Sequence, residues 1–324
     1  MTLPEGNADP MSASSAKHVV IAALIGNSLI AVTKFGAAVY TGSSAMMSEG
    51  IHSLVDTTNQ ALLLYGIKRS ARPADDMHPF GYGREIYFWA FVVAVLIFAV
   101  GAGVSIYEGV SKLAHPTPVE NAFVNYIVLG LAFVFEACAW WVAFREFNRM
   151  KGTLSYFKAI RVSKDPAVFT VLFEDTAAML GIVVAFTGIW FGQLTGQLWM
   201  DGAASVVIGF ILAIVAAILA IECKGLLIGE GATEAVVTNI RALVREHSAD
   251  ATVNELLTLQ MGAQDVLVTM SLDFDSGLTS DDVEQLVSEL EDKIKTAHEE
   301  VTRVFIEAQS FAGHSRRKQQ LEAP

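Results

Sequence analysis

Ser48-Glu49-Gly50-Ile51-His52-Ser53-Leu54-Val55-Asp56 is the stretch that decides the fold class. It lies in a mostly apolar run from about Ser44 to Ile67, long enough to cross a bilayer as a helix. His52 and Asp56 are four apart, so on a helix they project from one face, one turn above the other. An imidazole and a carboxylate held in hydrocarbon cost at least ~2.5–3.5 kcal/mol each, so they persist where a partner, a cavity or a bound ion offsets that cost. The pair reads as half of a metal site inside a membrane.

Composition agrees. Of 324 residues, 53% are hydrophobic and 17% charged, and the apolar residues fall in long runs, which is too much apolar surface for one soluble core. The net charge of −12 is uneven: residues 229–324 hold eight Lys and Arg against eighteen Asp and Glu, a balance of −10, and the remainder carries −2. An acidic soluble domain thus follows a nearly neutral membrane domain. That acidity argues against nucleic acid as a partner and suits cations. Cys138 and Cys223, far apart in apolar runs, suggest neither a disulfide framework nor a Cys-rich zinc motif. Residues 1–17 are polar, without a cleavage-type apolar core, and read as a disordered cytoplasmic tail.

Six stretches have the length of spanning helices: about His18–Tyr40, Ser44–Ile67, Ile86–Leu113, Phe123–Phe147, Ala167–Phe191 and Leu198–Ile221. Together they predict a six-helix transmembrane domain over residues 18–228. The loop after the second span carries Lys68, Arg69, Arg72 and Arg84, and that after the fourth carries Arg145, Arg149, Lys151, Lys158, Arg161 and Lys164; the opposite loops have Lys112 alone. This asymmetry places both termini in the cytoplasm, and the cell inner membrane is the expected location.

Residues 229–312 alternate between two periods. Thr233–His247 has a helical stripe of Val237, Ile240 and Val244, and Val253–Met261 and Val266–Phe274 are strand-like. Leu278–Glu300 is a helix opened by Thr279 with Asp282 three residues on, a capping pattern, and Val301–Gln309 is a third strand. The order αββαβ predicts a small α+β domain with helices on one sheet face, leaving the other free for a second copy of the chain, a homodimer. Residues 313–324 are polar and read as disordered.

In the fifth span, Leu172-Phe173-Glu174-Asp175-Thr176 places two more acids in apolar surroundings. At ~1.5 Å per residue, His52 lies ~12 Å and Asp56 ~18 Å below the outer face, and Asp175 also lies ~18 Å below it, so the three converge near the midplane. One imidazole and two carboxylates suit a divalent first-row ion: zinc, with manganese, iron or cobalt compatible. The bland reading is a buried polar trio that only joins two helices. Neither helix offers a basic partner at that depth, which favours the ion.

These residues resemble the cation diffusion facilitator family, proton-coupled exporters of divalent metal with six spanning helices, a cytoplasmic α+β domain and a homodimeric assembly. The resemblance covers about Val19 to Phe311, and is carried by Ser43–Asp56 and by Arg72-Pro73-Ala74-Asp75-Asp76-Met77-His78-Pro79-Phe80-Gly81-Tyr82-Gly83-Arg84-Glu85. It implies His52 and Asp56 as two ligands and Asp175 as a third, with Val171 where a fourth would stand. Water or Glu174 would complete the set; Glu174 sits ~100° around the helix from Asp175. Tyr82 replaces a loop histidine of the family, leaving Asp75 and His78 as a weak surface site or a plain tight turn. Ser271, Glu307 and Gln309 stand where metal-binding members carry His or Asp, so the domain reads as a dimer contact.

Other buried polar residues have two readings each. Asn27 either hydrogen-bonds a ligand carboxylate or bridges to another helix. Lys34 is placed to snorkel to the outer surface, Glu136 to serve an ion path or a helix contact, and Asp201 to reach water at the mouth of the sixth span. Arg84 and Glu230 are candidates for a salt bridge. The residues and the resemblance together read as a divalent cation:proton antiporter rather than an enzyme, with no cofactor beyond the transported ion. The alternatives are a membrane metalloenzyme, which would turn over without flux, and a scaffold that moves no ion.

Overall fold

The computed structural model describes residues 27–151, 155–156, 159, 163–164, 166–247 and 250–322. The expected disordered tail at residues 1–17 and the start of the first span lie outside them. Helices run over residues 27–41 (α1), Ser44–Ser70 (α2), Glu85–Ala114 (α3), Ala122–Met150 (α4), Pro166–Thr195 (α5) and Trp199–Ile228 (α6). Among the described residues, α3 to α6 contain the four segments long and apolar enough to cross a membrane. α2 has the length but not the apolarity, because Ser48, Glu49, His52, Ser53, Asp56, Thr57, Thr58, Asn59 and Gln60 interrupt its run.

The chain divides into two compact units. The first comprises Met1–Tyr65, Trp89–Ser155 and Ala167–Ile221, and so contains most of the six helices. Its helices approach closely through small residues, as expected where lipid gives no hydrophobic drive between helices. A Cβ on Gly109 of α3 would come 2.7 Å from both Gly202 O and Val206 N of α6. α3 also carries a π-helical stretch at Ile97–Ala102, about two turns before this contact. Gly109→Leu is therefore expected to cost about 3 kcal/mol, the upper part of the overpacking range, because besides the Val206 side chain it meets these two main-chain atoms, which cannot rotate away. Unfolding in mixed micelles measures this, and a midpoint equal to the parent's would refute the packing.

Two caps start α2. Gly42, at φ +67°, turns the chain out of α1 in the left-handed region that favours glycine. Ser43 Oγ then accepts the Met46 N–H at 3.1 Å, as an N-cap does. The Ser44 N–H at 2.7 Å and the Ala45 N–H at 3.4 Å go to the Asp201 carboxylate of α6, which also accepts from the Ser43 and Ser44 hydroxyls at 2.6 and 3.0 Å. Lys112 donates to Gly42 O at 2.5 Å and stands 3.9 Å from Asp201. Asp201 is thus buried against the start of α2, which corrects the expectation that it reaches water.

The second unit comprises Gly66–Phe88, Tyr156–Pro166 and Glu222–Pro324. Helix α7 (Glu234–His247), strands β1 (Ala251–Gly262) and β2 (Asp265–Phe274), helix α8 (Ser280–Ala297) and strand β3 (Val301–Ala308) follow the order expected. The sheet order is β1-β2-β3, antiparallel then parallel. Val266, Val268, Met270 and Leu272 alternate onto the face packed by Ile240 and Val244 of α7 and Leu290 and Ile294 of α8. Thr279 and Asp282 form the reciprocal capping box that their spacing predicts. Beyond it, Phe311–Glu322 is a helix, α9, where the composition suggests disorder. Its start and middle are tied by contacts the composition does not reveal: Phe311 N–H donates to Asp273 and Arg317 pairs with Glu307. Glu230 pairs with Lys164 at 2.7 Å and not with Arg84, a further correction.

Candidate metal centre

The polar face of α2 meets α5 inside the first unit. His52 is almost wholly buried, and its Nδ1 lies 3.3 Å from Asp56 Oδ1. At that separation the pair is not aligned as a hydrogen bond. Both ring nitrogens of His52, Asp56 Oδ1 and Asp175 Oδ2 are buried without a hydrogen-bond partner. Buried polar atoms in folded proteins are normally paired, so these four, with Glu49 Oε1 and Asn59 Oδ1 of α2 and Thr170 Oγ1 of α5 also unpartnered, are the pattern left by a helix pair built for something else to occupy.

The helical period explains which groups join them. Along α2, Glu49, His52, Asp56 and Asn59 follow at intervals of three and four, a single stripe about 15 Å long. Asn59 Nδ2 donates to Glu174 Oε1 at 2.7 Å, which pins α2 to α5 and buries Glu174. Glu174 therefore makes the helix contact and Asp175, next in the chain, keeps a free oxygen. Asp56 lies in the field of Glu174, Glu136 and Asp175, with Lys34 as the cation among these groups. Trp140 of α4 donates to Thr176, beside Asp175, at 3.0 Å.

The other residues singled out in the sequence go elsewhere. Asn27 donates to Gln60 Oε1 at 3.1 Å, so it bridges α1 to α2 and touches no ligand carboxylate. Lys34 does not snorkel. It is fully buried and donates to Glu49 Oε2 at 3.0 Å and to Ser53 Oγ at 2.8 Å. Breaking a buried pair of this kind typically costs about 3–5 kcal/mol, so α1 is tied to the polar stripe. Glu49 was visible in the opening stretch, one turn before His52; that Lys34 meets it was not, because sequence sets no rotation of α1 against α2.

Asp75 and His78 form a turn. Asp75 Oδ1 accepts the Met77 and His78 amides at 3.1 and 2.7 Å, and Oδ2 accepts the Tyr82 hydroxyl at 2.6 Å. The Tyr82 hydroxyl first, and the His78 amide next, hold the Asp75 carboxyl below its usual range. Both oxygens are thus engaged. Tyr82 thus braces the loop through Asp75. In the second unit, Ser271 Oγ and Gln309 are linked at 3.5 Å and Glu307 pairs with Arg317. Among the described residues, no group of three or more His, Cys, Asp or Glu side chains is gathered closely enough to grip an ion.

Comparison with known proteins adds an independent finding. A family model described as the cation efflux transmembrane domain matches residues 20–259. The chain is 33% identical over 309 residues to the human protein named proton-coupled zinc antiporter SLC30A9, mitochondrial, covering 91% of this chain and 54% of that one. It is 32% identical over 236 residues to metal tolerance protein C4 of Arabidopsis thaliana, covering 72% of this chain and 51% of the relative. To the cation-efflux pump FieF of Shewanella oneidensis it is 23% identical over 261 residues, covering 81% and 83%. The chain spans about half the length of the first two relatives.

Proposed function

The chain belongs to the cation efflux family, and from that premise we propose that it exchanges a divalent metal cation, zinc first, for protons across a membrane, using His52, Asp56 and Asp175 as ligands. A member of this family is a transporter and not an enzyme. What carries the reading is the set of unpartnered buried atoms: both nitrogens of His52 and one oxygen each of Asp56 and Asp175. One imidazole and two carboxylates are hard-to-borderline donors suited to zinc and compatible with manganese, iron or cobalt. That two relatives are named a zinc antiporter and a metal tolerance protein supports the same ion class.

The mechanism follows from the chemistry of the donors. Carboxylates and imidazole coordinate only when deprotonated, so metal and protons compete for the same lone pairs. On the side where metal is taken up, the neutral imidazole and the carboxylates close on the ion, Asp175 moving toward the His52–Asp56 pair. On the other side protons displace it. The Asn59–Glu174 contact and the Lys34–Glu49 pair hold α2 in register while this happens. We place six helices in the membrane, α1 and α2 included: α2's polar face is turned into the first unit, where Ser48, Glu49, His52 and Asn59 are buried. Both termini are assigned to the side of the Lys- and Arg-rich loops, and the cell inner membrane remains the proposed location. Leu257 and Phe305, 58% and 54% exposed on the sheet face opposite the helices, support a second copy of the chain as partner.

Reconstitution into vesicles holding a pH dye tests the reading. Added zinc is expected to enter while protons leave, so that the lumen turns alkaline, with smaller responses to manganese, iron and cobalt. Zinc entry without a pH change would refute proton coupling. No response to any of these metals at any pH would refute transport by this chain.

A further inference from the structure

We propose that Lys34 is a specificity-determining residue, which keeps the Glu49 carboxylate out of the metal's coordination shell and so holds the site to one nitrogen and two oxygens. The proposal rests on the assignment of His52, Asp56 and Asp175 as ligands. Glu49 lies three residues before His52 on the same stripe of α2, within a turn of the site. Its Oε1 is buried and accepts no hydrogen bond, while Oε2 is taken by the Lys34 ammonium at 3.0 Å. Ser53 Oγ, adjacent to His52 in the chain, receives a second Lys34 proton at 2.8 Å and fixes where the ammonium sits.

α5 is shaped around this arrangement. Gly181 faces Glu49, and a Cβ there would overlap Glu49 Oε1, so the absent side chain leaves a berth for the carboxylate beside Lys34. Without the ammonium, Glu49 is a free carboxylate one turn from His52, able to add a third oxygen. Oxygen-rich sets favour harder ions such as manganese, whereas imidazole favours zinc. The fixed positive charge also repels any cation that would occupy the Glu49 position. Lys34 thereby acts through Glu49 and tilts the site toward zinc.

Titrating the purified chain in detergent with Zn2+ and with Mn2+ tests this. Lys34→Met is expected to raise affinity for Mn2+ relative to Zn2+ about tenfold, equivalent to about 1.4 kcal/mol. Lys34→Met combined with Glu49→Gln is expected to return the ratio to the parent's. An unchanged ratio in folded Lys34→Met, or a shift that survives Glu49→Gln, overturns the proposal. Should Lys34→Met fail to fold, Gly181→Ala reaches the same carboxylate with every charge kept: it pushes Glu49 from its berth, and an Mn2+/Zn2+ ratio equal to the parent's overturns the proposal. Asp56→Ala separates the two readings. If it binds Zn2+ as the parent does, the ligand assignment fails; if it loses binding while Lys34→Met leaves the ratio unmoved, only the role of Lys34 falls.

Discussion

Replacing Asp56 with Ala is expected to lower metal-driven proton exchange in vesicles by two orders of magnitude or more while leaving the protein folded. The two halves of that expectation have different origins. Asp56 Oδ1 has no hydrogen-bond partner, so removing it strands no donor. Lys34, the cation nearest this cluster, keeps its Glu49 partner when Asp56 is replaced. The fold therefore has little to lose. Transport has much to lose: residues that only support a metal ligand already cost about 10–100-fold when mutated, and a ligand itself costs more. Asp56→Asn, which keeps shape and one oxygen but not the charge, is expected to fall between Ala and the parent. Undiminished flux in Asp56→Ala, with the parent's pH dependence, would remove this carboxylate from the site.

Asp201→Ala should have the opposite profile, a large loss of stability at a residue far from the ligands. Its carboxylate accepts two main-chain amides and two hydroxyls at the start of α2 and lies 3.9 Å from the buried Lys112. Losing a helix cap alone costs about 0.5–2 kcal/mol, and leaving the buried amides and hydroxyls of Ser43 and Ser44 without their acceptor raises the total toward about 3 kcal/mol or more. Asp201→Asn retains an acceptor for the α2 amides and is expected to lose about half as much. Unfolding in mixed micelles measures both, and Asp201→Ala within ~0.5 kcal/mol of the parent would show that Ser43 caps α2 unaided. A rescue by Lys112→Met in the Asp201→Ala background would locate the cost in the Lys112 ammonium, which otherwise keeps Gly42 O at 2.5 Å and Thr117 Oγ1 at 2.6 Å.

Periodicity alone made most of the architecture legible. The four-residue step from His52 to Asp56, the apolar runs of α3 to α6, the alternation of Val266, Val268, Met270 and Leu272, and the Thr279–Asp282 box are local patterns, and helices and strands obey local periods. The same patterns placed Glu174 and Asp175 on different faces of α5, and the structure uses that difference: Glu174 reaches Asn59, while Asp175 keeps an oxygen free.

Tertiary structure decided which partner each buried polar group takes. Lys34 turns inward to Glu49 instead of outward, Asp201 meets a helix start 157 residues earlier, Asn27 meets Gln60, and Glu230 meets Lys164. Composition and spacing could list these groups but not pair them, because the rotation and height of one helix against another come from close packing at glycines such as Gly109 and Gly181, where two chains distant in sequence must fit. The sequence by itself determined that this is a membrane-helical chain with an αββαβ unit and an ionisable stripe on α2. Only the packing of α1 and α5 against that stripe decided which of its charges are neutralised within the protein and which keep unpartnered atoms, since charge pairing depends on distances that no single helix sets.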